Sequence, residues 1–252
     1  MSEEYKYNKM ISRFYDVVYD KILDKSGKKF YLDEISRTKG SVLEIGSGTG
    51  RIFVPALKNG ADIYGIDISD HMTGVLKKKI PEKDHFRIQS ANVTDFATEK
   101  KYSLIIAPFR IFSHLLTTKD QLKALNNIFH HLKKDGRFIF DVFIPKYTLM
   151  KEDIREETDF EGEYEPGKKL IRHTVMKYRN IEQIIEITFR FIYDEDGERK
   201  TDECIFPLRY YFRYELEHLL YISRFKDVSI YGDFFKNPLS KDSKDFVIDC
   251  KK

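Results

Sequence analysis

The sequence of 252 residues contains no tryptophan and only two cysteines. Cys204 and Cys250 lie far apart and belong to no CxxC pair, so the sequence predicts no disulfide framework. We expect both to be buried or free thiols in a reducing compartment. His130 and His131 are adjacent on a predicted helix and cannot share one metal ion from one face. No other His or Cys pair has zinc-ligand spacing, and no metal site is predicted.

Long apolar runs are also missing. No segment has the apolar length of a signal peptide or a membrane span, which predicts a soluble cytoplasmic protein without a membrane partner. Lys and Arg total 44 against 41 Asp and Glu, and this near balance, without a basic block, argues against a nucleic-acid partner. A hydrophobic fraction of 41% supports a sizeable core, in one large domain or one domain with an insertion.

The chain is organised around the segment VLEIGSGTG, from Val42 to Gly50. Its first four residues form an apolar run with one acid, Glu44, which predicts the end of a buried parallel strand. Glycine at every second position from Gly46 onward allows a tight turn where the backbone can approach a ligand closely. A helix predicted over 51–57 directs its free N–H groups to the same place.

The glycine spacing discriminates between nucleotide-binding motifs. A dinucleotide fingerprint has its third glycine three residues after the second, where this chain has Arg51. A P-loop lysine after Gly50 is missing as well. The pattern acid-x-Gly-x-Gly-x-Gly resembles the first motif of the class I methyltransferases, which use S-adenosylmethionine. The resemblance covers most of residues 10–145 and the last 40 residues of the sequence, and the alternative is a glycine-rich turn without a ligand.

Polar residues stand where further strands are predicted to end. Asp67 ends the strand predicted over 62–67, and an acid there can accept hydrogen bonds from both ribose hydroxyls. In the resembled family an Asp commonly stands where this chain has Asn92, and it accepts the adenine amino group. The side-chain carbonyl of Asn92 can accept the same bond without a charge, and a turn residue is the alternative. The resemblance implies a cofactor site formed by Glu44, Gly46, Ser47, Gly48, Gly50, Asp67, Ile68, Asn92, Val93, Tyr15 and Tyr19.

Four strand–helix alternations by residue 145 predict a parallel, doubly wound sheet. Thr118 with Gln121 is expected to cap the helix that ends near Leu132. The predicted strands cover 42–45, 62–67, 86–90, 102–109, 137–143, 226–231 and 245–250. The resemblance implies an α/β, Rossmann-like, mostly parallel seven-stranded sheet with an antiparallel last strand and a small antiparallel β insertion.

Residues 146–207 interrupt this alternation. The acidic stretch 152–165 is predicted to be an exposed loop, and 170–178, 184–193 and 200–206 are predicted to be strands of a meander. The methyltransferase domain would comprise 1–145 and 208–252, with 146–207 inserted over the acceptor site. A helix predicted over 5–24 resembles the leading helix that covers the cofactor as a lid in small-molecule methyltransferases. Packing against the sheet edge is the alternative.

Four residues are candidates for the acceptor site. His114 follows the fourth predicted strand and is the best-placed general base, although a lone histidine is more often structural. Arg110 can bind an acceptor carboxylate through two hydrogen bonds, or can be a solvated loop arginine. His173 in the insertion and Tyr211 are further candidates, and Tyr211 is equally compatible with the core.

The loop ending at 112–115, with the sequence FSHL, resembles that of glycine and sarcosine N-methyltransferases. The layout with an antiparallel insertion is also similar to the amino-sugar N-methyltransferases. Both imply methyl transfer to a small polar acceptor at an amine nitrogen, by a monomer or a homodimer. The alternatives are an RNA or protein methyltransferase, a non-catalytic S-adenosylmethionine-binding module, and a nicotinamide-dependent oxidoreductase, which Arg51 disfavours.

Overall fold

A computed structural model describes residues 9–22, 25–151 and 154–252. The helices are α1 (Lys9–Ile22), α2 (Lys25–Arg37), α3 (Phe53–Lys58), α4 (Asp70–Lys77), α5 (Thr118–His131) and α6 (Arg213–Ile222). The strands are β1 (Val42–Ile45), β2 (Ile63–Asp67), β3 (Ile88–Ser90), β4 (Tyr102–Ala107), β5 (Leu132–Phe143), β6 (Ile154–Glu165), β7 (Lys168–Arg179), β8 (Ile184–Glu195), β9 (Glu198–Arg209), β10 (Asp227–Tyr231) and β11 (Asp245–Lys251). The chain divides into two compact units, which are described separately.

The larger unit contains a seven-stranded sheet with the order β10-β11-β5-β4-β1-β2-β3. Strands β1 to β5 pair in parallel, while β11 runs antiparallel to both β5 and β10. The predicted doubly wound sheet with an antiparallel last strand is therefore confirmed. The strand order reverses between β1 and β4, and doubly wound sheets bind their ligands at this point.

Both faces of this sheet are covered by helices. Apolar side chains of α5 and α6 form one core cluster with the sheet, and those of α2, α3 and α4 form the other. All four residues of β1 are buried, as expected for a central parallel strand. Cys204 and Cys250 are free and buried, and burial raises the pKa of the Cys250 thiol.

Three local predictions differ from the structure. Residues 82–87 form a 3-10 helix, which leaves only the short β3 of the predicted strand. The cap of α5 is Thr117, whose hydroxyl accepts a hydrogen bond from the backbone N–H of Asp120, because Thr117 has the extended backbone that a cap requires. Gln121 instead lies buried and donates to the carbonyl oxygen of Leu115.

The smaller unit contains α1 and the antiparallel sheet β6-β7-β8-β9. The interpretation of 152–165 as a loop is wrong for residues 154–165, which form β6, while 152 and 153 lie outside the described residues. Strand β6 pairs with β7 along its length, and four of its six acids are exposed. The other two, Glu157 and Asp159, lie on the less exposed side, and Asp159 forms an ion pair with Arg172. A strand with one solvent-facing side accommodates such acids, so the composition alone misled the prediction.

Helix α1 packs on this antiparallel sheet. The ring of Phe14 lies 5.0 Å from Tyr164 and 5.1 Å from Tyr193, and Arg13 forms an ion pair of 2.6 Å with Glu195. The contacts therefore group α1 with 146–209 instead of with the parallel sheet, because its apolar face is buried by these strands. The lid role stays a prediction, and residues 5–8 and 23–24 of the predicted helix lie outside the described residues. None of the described helices is long and apolar enough to cross a membrane.

Candidate functional site

The predicted glycine loop connects β1 to α3 at the carboxyl end of β1. Gly46, Gly48 and Gly50 have φ angles of +70°, +52° and +90°, in the left-handed region that favours glycine. A Cβ atom on Gly46 would lie 2.3 Å from Cδ1 of Ile111. The backbone N–H groups of Gly46 and Ser47 donate to the carbonyl oxygen of Ile66, which fastens the loop to the end of β2.

Asp67 ends β2 beside this loop. Its Oδ2 accepts the N–H of Gly48 at 2.8 Å, and its Oδ1 accepts the N–H of Ser69 at 2.8 Å. Burial raises the pKa of this carboxyl, and the backbone N–H donors oppose that shift. A carboxylate offers about four acceptor positions, so Asp67 keeps acceptor capacity for ribose hydroxyls after it has bound the loop.

We expect Asp67→Ala to weaken the binding of S-adenosylhomocysteine by about 1.5–3 kcal/mol, the scale of lost hydrogen bonds to a charged group. Isothermal titration calorimetry measures this change. The matched control is Asp62→Ala. Asp62 lies just before β2, at the end of the strand away from the glycine loop, and its carboxylate binds Ser41, Arg87 and Lys100. An unchanged dissociation constant in folded Asp67→Ala removes this carboxylate from the ribose site.

Glu44 lies in β1 directly before the glycine loop and is only 2% exposed. A backbone N–H of Phe53 donates to its carboxyl group, while Oε2 is buried without a hydrogen-bond partner. Burial and the nearby Asp67 charge raise its pKa well above the ordinary range, and Arg51 opposes this. The hydroxyl of Ser47 is likewise buried and unpartnered. Buried polar groups without partners are costly, which points to a ligand that would satisfy them.

Asn92 and Val93 follow β3, the neighbour of β2. Oδ1 of Asn92 accepts the N–H and the hydroxyl of Thr94 at 3.0 and 3.1 Å, which is the arrangement of a turn residue. Contact of this side chain with adenine stays a prediction, and its oxygen is already engaged. The carbonyl of Val93 accepts from Asn127, which fixes this loop against α5. Ile68, after β2, is 36% exposed and available to a ligand.

The loop after β4 contains two consecutive non-glycine residues in the left-handed region. Phe109 has φ 59° and Arg110 has φ 66°, and each such residue carries backbone strain of about 1–3 kcal/mol. Their N–H groups donate to the two carboxylate oxygens of Asp141, at 2.8 and 3.1 Å. The hydroxyl of Tyr31 donates to Oδ1 of the same carboxylate at 2.5 Å. Asp141 thus holds the strained turn in place.

Asp141 was not among the predicted site residues. It is a single acid inside the apolar strand β5, with the sequence RFIFDVF around it, and is only 2% exposed. Burial raises its pKa to about 6, although the Tyr31 hydroxyl and the Phe109 N–H favour the charged form. An acid within an apolar strand is the sequence signal that could have identified it.

The predicted acceptor residues of this unit occupy different environments. The Arg110 side chain is half-exposed, and Nη2 lies 3.4 Å from a carboxylate oxygen of Asp245. The ring of His114 is partly buried, and desolvation lowers its pKa to about 4. Tyr211 is fully buried in the core, with its hydroxyl 3.4 Å from the carbonyl oxygen of Phe112. Tyr211 is therefore corrected to a residue that supports the 111–115 turn, because its ring has no exposed surface.

The remaining predicted residues belong to the smaller unit. The rings of Tyr15 and Tyr19 on α1 are tilted against each other with centroids 4.4 Å apart, and the guanidinium of Arg172 lies 5.0 Å from the centre of the Tyr19 ring. His173 on β7 pairs with the hydroxyl of Thr158 at 2.9 Å. Their roles in binding cofactor or acceptor stay predictions. Within the described ranges, no three His, Cys, Asp or Glu side chains are arranged to hold a metal ion.

A cavity of about 360 Å³ lies at the opposite, amino end of the sheet. Val42, Gly60 and Asp62 are among its walls. Asp62 is already bound by two basic side chains and a hydroxyl, which lower its pKa to about 2. The candidate site is therefore not this cavity. It lies at the carboxyl ends of β1 and β2, where the glycine loop and the acids are found.

Comparison with known proteins agrees with this location. Residues 42–136 match the methyltransferase domain family. An uncharacterized methyltransferase from Bacillus cytotoxicus is 30% identical over 108 residues, which are 43% of this chain and 49% of that protein. The chain thus spans about half the length of the curated relatives it matches.

Solved structures share the fold over nearly the whole chain. An S-adenosylmethionine-dependent methyltransferase from Clostridium acetobutylicum has a TM-score of 0.75 at 15% identity, covering 97% of this chain and 98% of that one. The sugar N-methyltransferase KedS8 from Streptoalloteichus has a TM-score of 0.73 at 15% identity, covering 92% and 91%. Identities this low establish the fold alone.

The residues at the site fit S-adenosylmethionine. The glycine loop, whose glycines have left-handed φ angles, lets a ligand approach the backbone closely. Asp67 offers acceptors for ribose hydroxyls. Glu44 has a buried carboxyl oxygen without a hydrogen-bond partner. The predicted cofactor and family agree with the family match and the fold. Residues 42–136 therefore match the methyltransferase domain family, and the chain shares the fold of solved S-adenosylmethionine-dependent methyltransferases.

Proposed function

We propose that this protein transfers a methyl group from S-adenosylmethionine to an amine nitrogen of a small polar molecule. The observation that carries the proposal is the glycine loop bound to Asp67 at the point where the strand order reverses. KedS8, which has the same fold, is named a sugar N-methyltransferase, and this supports an amine acceptor. Choice of the acceptor by residues 146–207 remains a prediction from the sequence.

S-adenosylmethionine supplies the electrophilic methyl group on a sulfonium, so the protein's task is orientation. Asp67 would bind the ribose, and the loop from Gly46 to Gly50 would lie against the methionine moiety. Glu44 would face the ammonium group, since its buried Oε2 lacks a partner. The loop after β4, held by Asp141, would form the wall next to the transferred methyl group.

His114 is a poor general base for an amine. Amines have pKa values of about 8 to 10, whereas desolvation lowers the pKa of His114 to about 4. Efficient proton transfer needs a base whose pKa lies near the working pH. We therefore propose that the acceptor amine loses its proton to solvent before transfer, and that His114 stays neutral and orients the acceptor or the 111–115 turn.

We expect kcat/KM to rise with pH through the acceptor's own pKa, and His114→Gln to leave the midpoint of that rise unchanged. A base with a pKa near 4 is already deprotonated throughout this range. The measurement is the release of S-adenosylhomocysteine between pH 6 and 10. A midpoint that moves or vanishes in His114→Gln contradicts this role and restores His114 as the general base.

The test of the function itself is an acceptor screen. Purified protein is incubated with S-adenosylmethionine and a panel of amino sugars, glycine and sarcosine, and the release of S-adenosylhomocysteine is measured. Hydroxyl analogues of the same sugars are matched controls, and we expect turnover only with amines. Tight binding of S-adenosylhomocysteine with no turnover on any acceptor would favour a non-catalytic binding module.

A further inference from the structure

Arg51 directly follows the glycine loop. Its guanidinium carbon lies 4.5 Å from the centre of the Phe109 ring, which belongs to the strained turn after β4. The loop begins at the end of β1, so this side chain lies where the strand order reverses between β1 and β4. In a doubly wound sheet this crevice is the place for a ligand. The sequence interpretation used Arg51 only to disfavour a dinucleotide site.

The guanidinium of Arg51 is incompletely satisfied. Its Nε and Nη1 atoms are buried and have no hydrogen-bond partner. Two other arginines of the chain show the usual arrangement, since Arg137 and Arg172 each form two hydrogen bonds with one carboxylate. Buried N–H donors of a charged group that make no hydrogen bond are costly. The cation–π contact with the Phe109 ring does not satisfy these two donors.

The orphaned atoms of Arg51 and Glu44 have complementary chemistry. The guanidinium of arginine carries five N–H donors in a rigid, planar fork, and a carboxylate accepts charge-assisted hydrogen bonds from them. The buried Oε2 of Glu44 is an acceptor suited to an ammonium group. The two charges act on each other, because Arg51 lowers the pKa that burial raises in Glu44. Together they complement an α-amino acid zwitterion.

We propose that Arg51 binds the α-carboxylate of the methionine moiety of the cofactor through its unpartnered guanidinium N–H groups. The proposal rests on the proposed function, because it assumes that S-adenosylmethionine occupies this crevice. Arg51 would then be a cofactor-binding residue that the sequence interpretation did not assign. A carboxylate of the methyl acceptor is the other possible source of the anion, and the experiment separates the two.

The test compares three ligands by calorimetry: S-adenosylhomocysteine, its decarboxylated analogue, which keeps the ammonium group, and 5′-methylthioadenosine, which lacks both groups. Wild type should bind S-adenosylhomocysteine about 10- to 100-fold more tightly than the decarboxylated analogue, the range for hydrogen bonds between charged groups. Arg51→Gln should abolish that preference. It should leave 5′-methylthioadenosine binding within about threefold, because that ligand does not reach the guanidinium.

Two further variants serve as controls. Arg51→Lys, which keeps the charge but loses the fork, should retain part of the preference, and it replaces Arg51→Gln if the latter does not fold. Asp67→Asn should weaken all three ligands by a similar factor, because each of them contains the ribose. The expected pattern therefore separates carboxylate binding from general damage to the site.

Other outcomes contradict the proposal. An equal loss for all three ligands in Arg51→Gln would assign Arg51 a structural role. Unchanged S-adenosylhomocysteine binding with a raised KM for the methyl acceptor would assign the arginine to the acceptor's carboxylate. Unchanged binding and unchanged KM would remove it from the site. Failure of the wild type to bind S-adenosylhomocysteine would overturn the proposed function itself, which is a different result from the loss of preference in one variant.

Discussion

Gly46→Ala should lower the free energy of unfolding by about 2–5 kcal/mol and weaken S-adenosylhomocysteine binding at least tenfold. Two costs combine at this position. Its φ of +70° is unfavourable for alanine by about 1–2 kcal/mol. The added Cβ would also lie 2.3 and 2.5 Å from two atoms of Ile111, and overpacking of this kind costs about 1–3 kcal/mol. Urea denaturation and calorimetry measure the two effects.

Gly60→Ala is the matched control for this variant. Gly60 has a φ of +84°, but a Cβ there would meet no atom within 4 Å. The Gly60→Ala variant should therefore lose only the stability that the unfavourable φ costs, and it should keep its affinity for S-adenosylhomocysteine. Ile111→Ala in the Gly46→Ala background should recover part of the lost stability, since the two residues are in contact. Equal losses in Gly46→Ala and Gly60→Ala would show that contact with Ile111 has no importance.

Asp141→Asn should lower the free energy of unfolding by about 2–4 kcal/mol and reduce turnover at least tenfold. Three donors point at the two carboxylate oxygens of Asp141, and an Asn amide offers one acceptor oxygen in place of two. At least one buried N–H or O–H group then faces an NH2 group, at a cost of about 1–3 kcal/mol. The strained turn at 109–110 also loses its anchor, which displaces the wall that we assign to the transferred methyl group.

Asp245→Asn is the control for Asp141→Asn. Asp245 contacts the side chain of Arg110 at 3.4 Å, not the backbone of the turn, so its loss should cost less than about 1 kcal/mol. Binding of S-adenosylhomocysteine should stay within about threefold in Asp245→Asn, because Asp245 contacts neither the glycine loop nor the backbone of the turn. Wild-type turnover in a folded Asp141→Asn protein would contradict a positioning role.

The effect of Asp141→Asn should also depend on pH. The folded-state pKa of Asp141 is about 6, above the ordinary value of 3.8, so the folded protein binds this proton more tightly than the unfolded chain. Its contribution to stability is therefore greatest below pH 3.8 and is lost as the pH rises through 6. Asp141→Asn lacks this pH-dependent contribution to stability. The loss of unfolding free energy relative to wild type should therefore be larger at pH 5 than at pH 8. Urea denaturation at the two pH values tests the difference.

His114 has the opposite pH dependence. Its folded-state pKa of about 4 lies below the ordinary 6.5, so the stability linked to the neutral ring is present above pH 6.5 and is lost as the pH falls through 4. As the pH rises from 4 to 6, the stability contributed by Asp141 falls and the stability contributed by His114 grows, so the two changes partly offset each other. Removing Asp141 should therefore make stability rise more steeply with pH across that interval.

The sequence by itself determined the parallel sheet and the location of the site. Strands β1 and β4 are mostly apolar because both of their faces are buried, while the glycines follow β1 directly and Asp67 ends β2. These features are local, and periodicity and turn chemistry report local features well. The same logic failed for β6, because its many acids, most of them exposed, concealed a paired strand.

Tertiary structure alone decided which distant residues act together. Asp141 reaches the turn at 109–110 and Tyr31 only because β5 lies beside β4 and α2 packs on the sheet, and no sequence spacing encodes that meeting. The orphaned donors of Arg51 and the depressed pKa of His114 likewise depend on burial, which many separate segments produce together. Packing of α1 on the antiparallel sheet is decided in the same way, because an amphipathic helix specifies the face that it buries but not the surface that covers it.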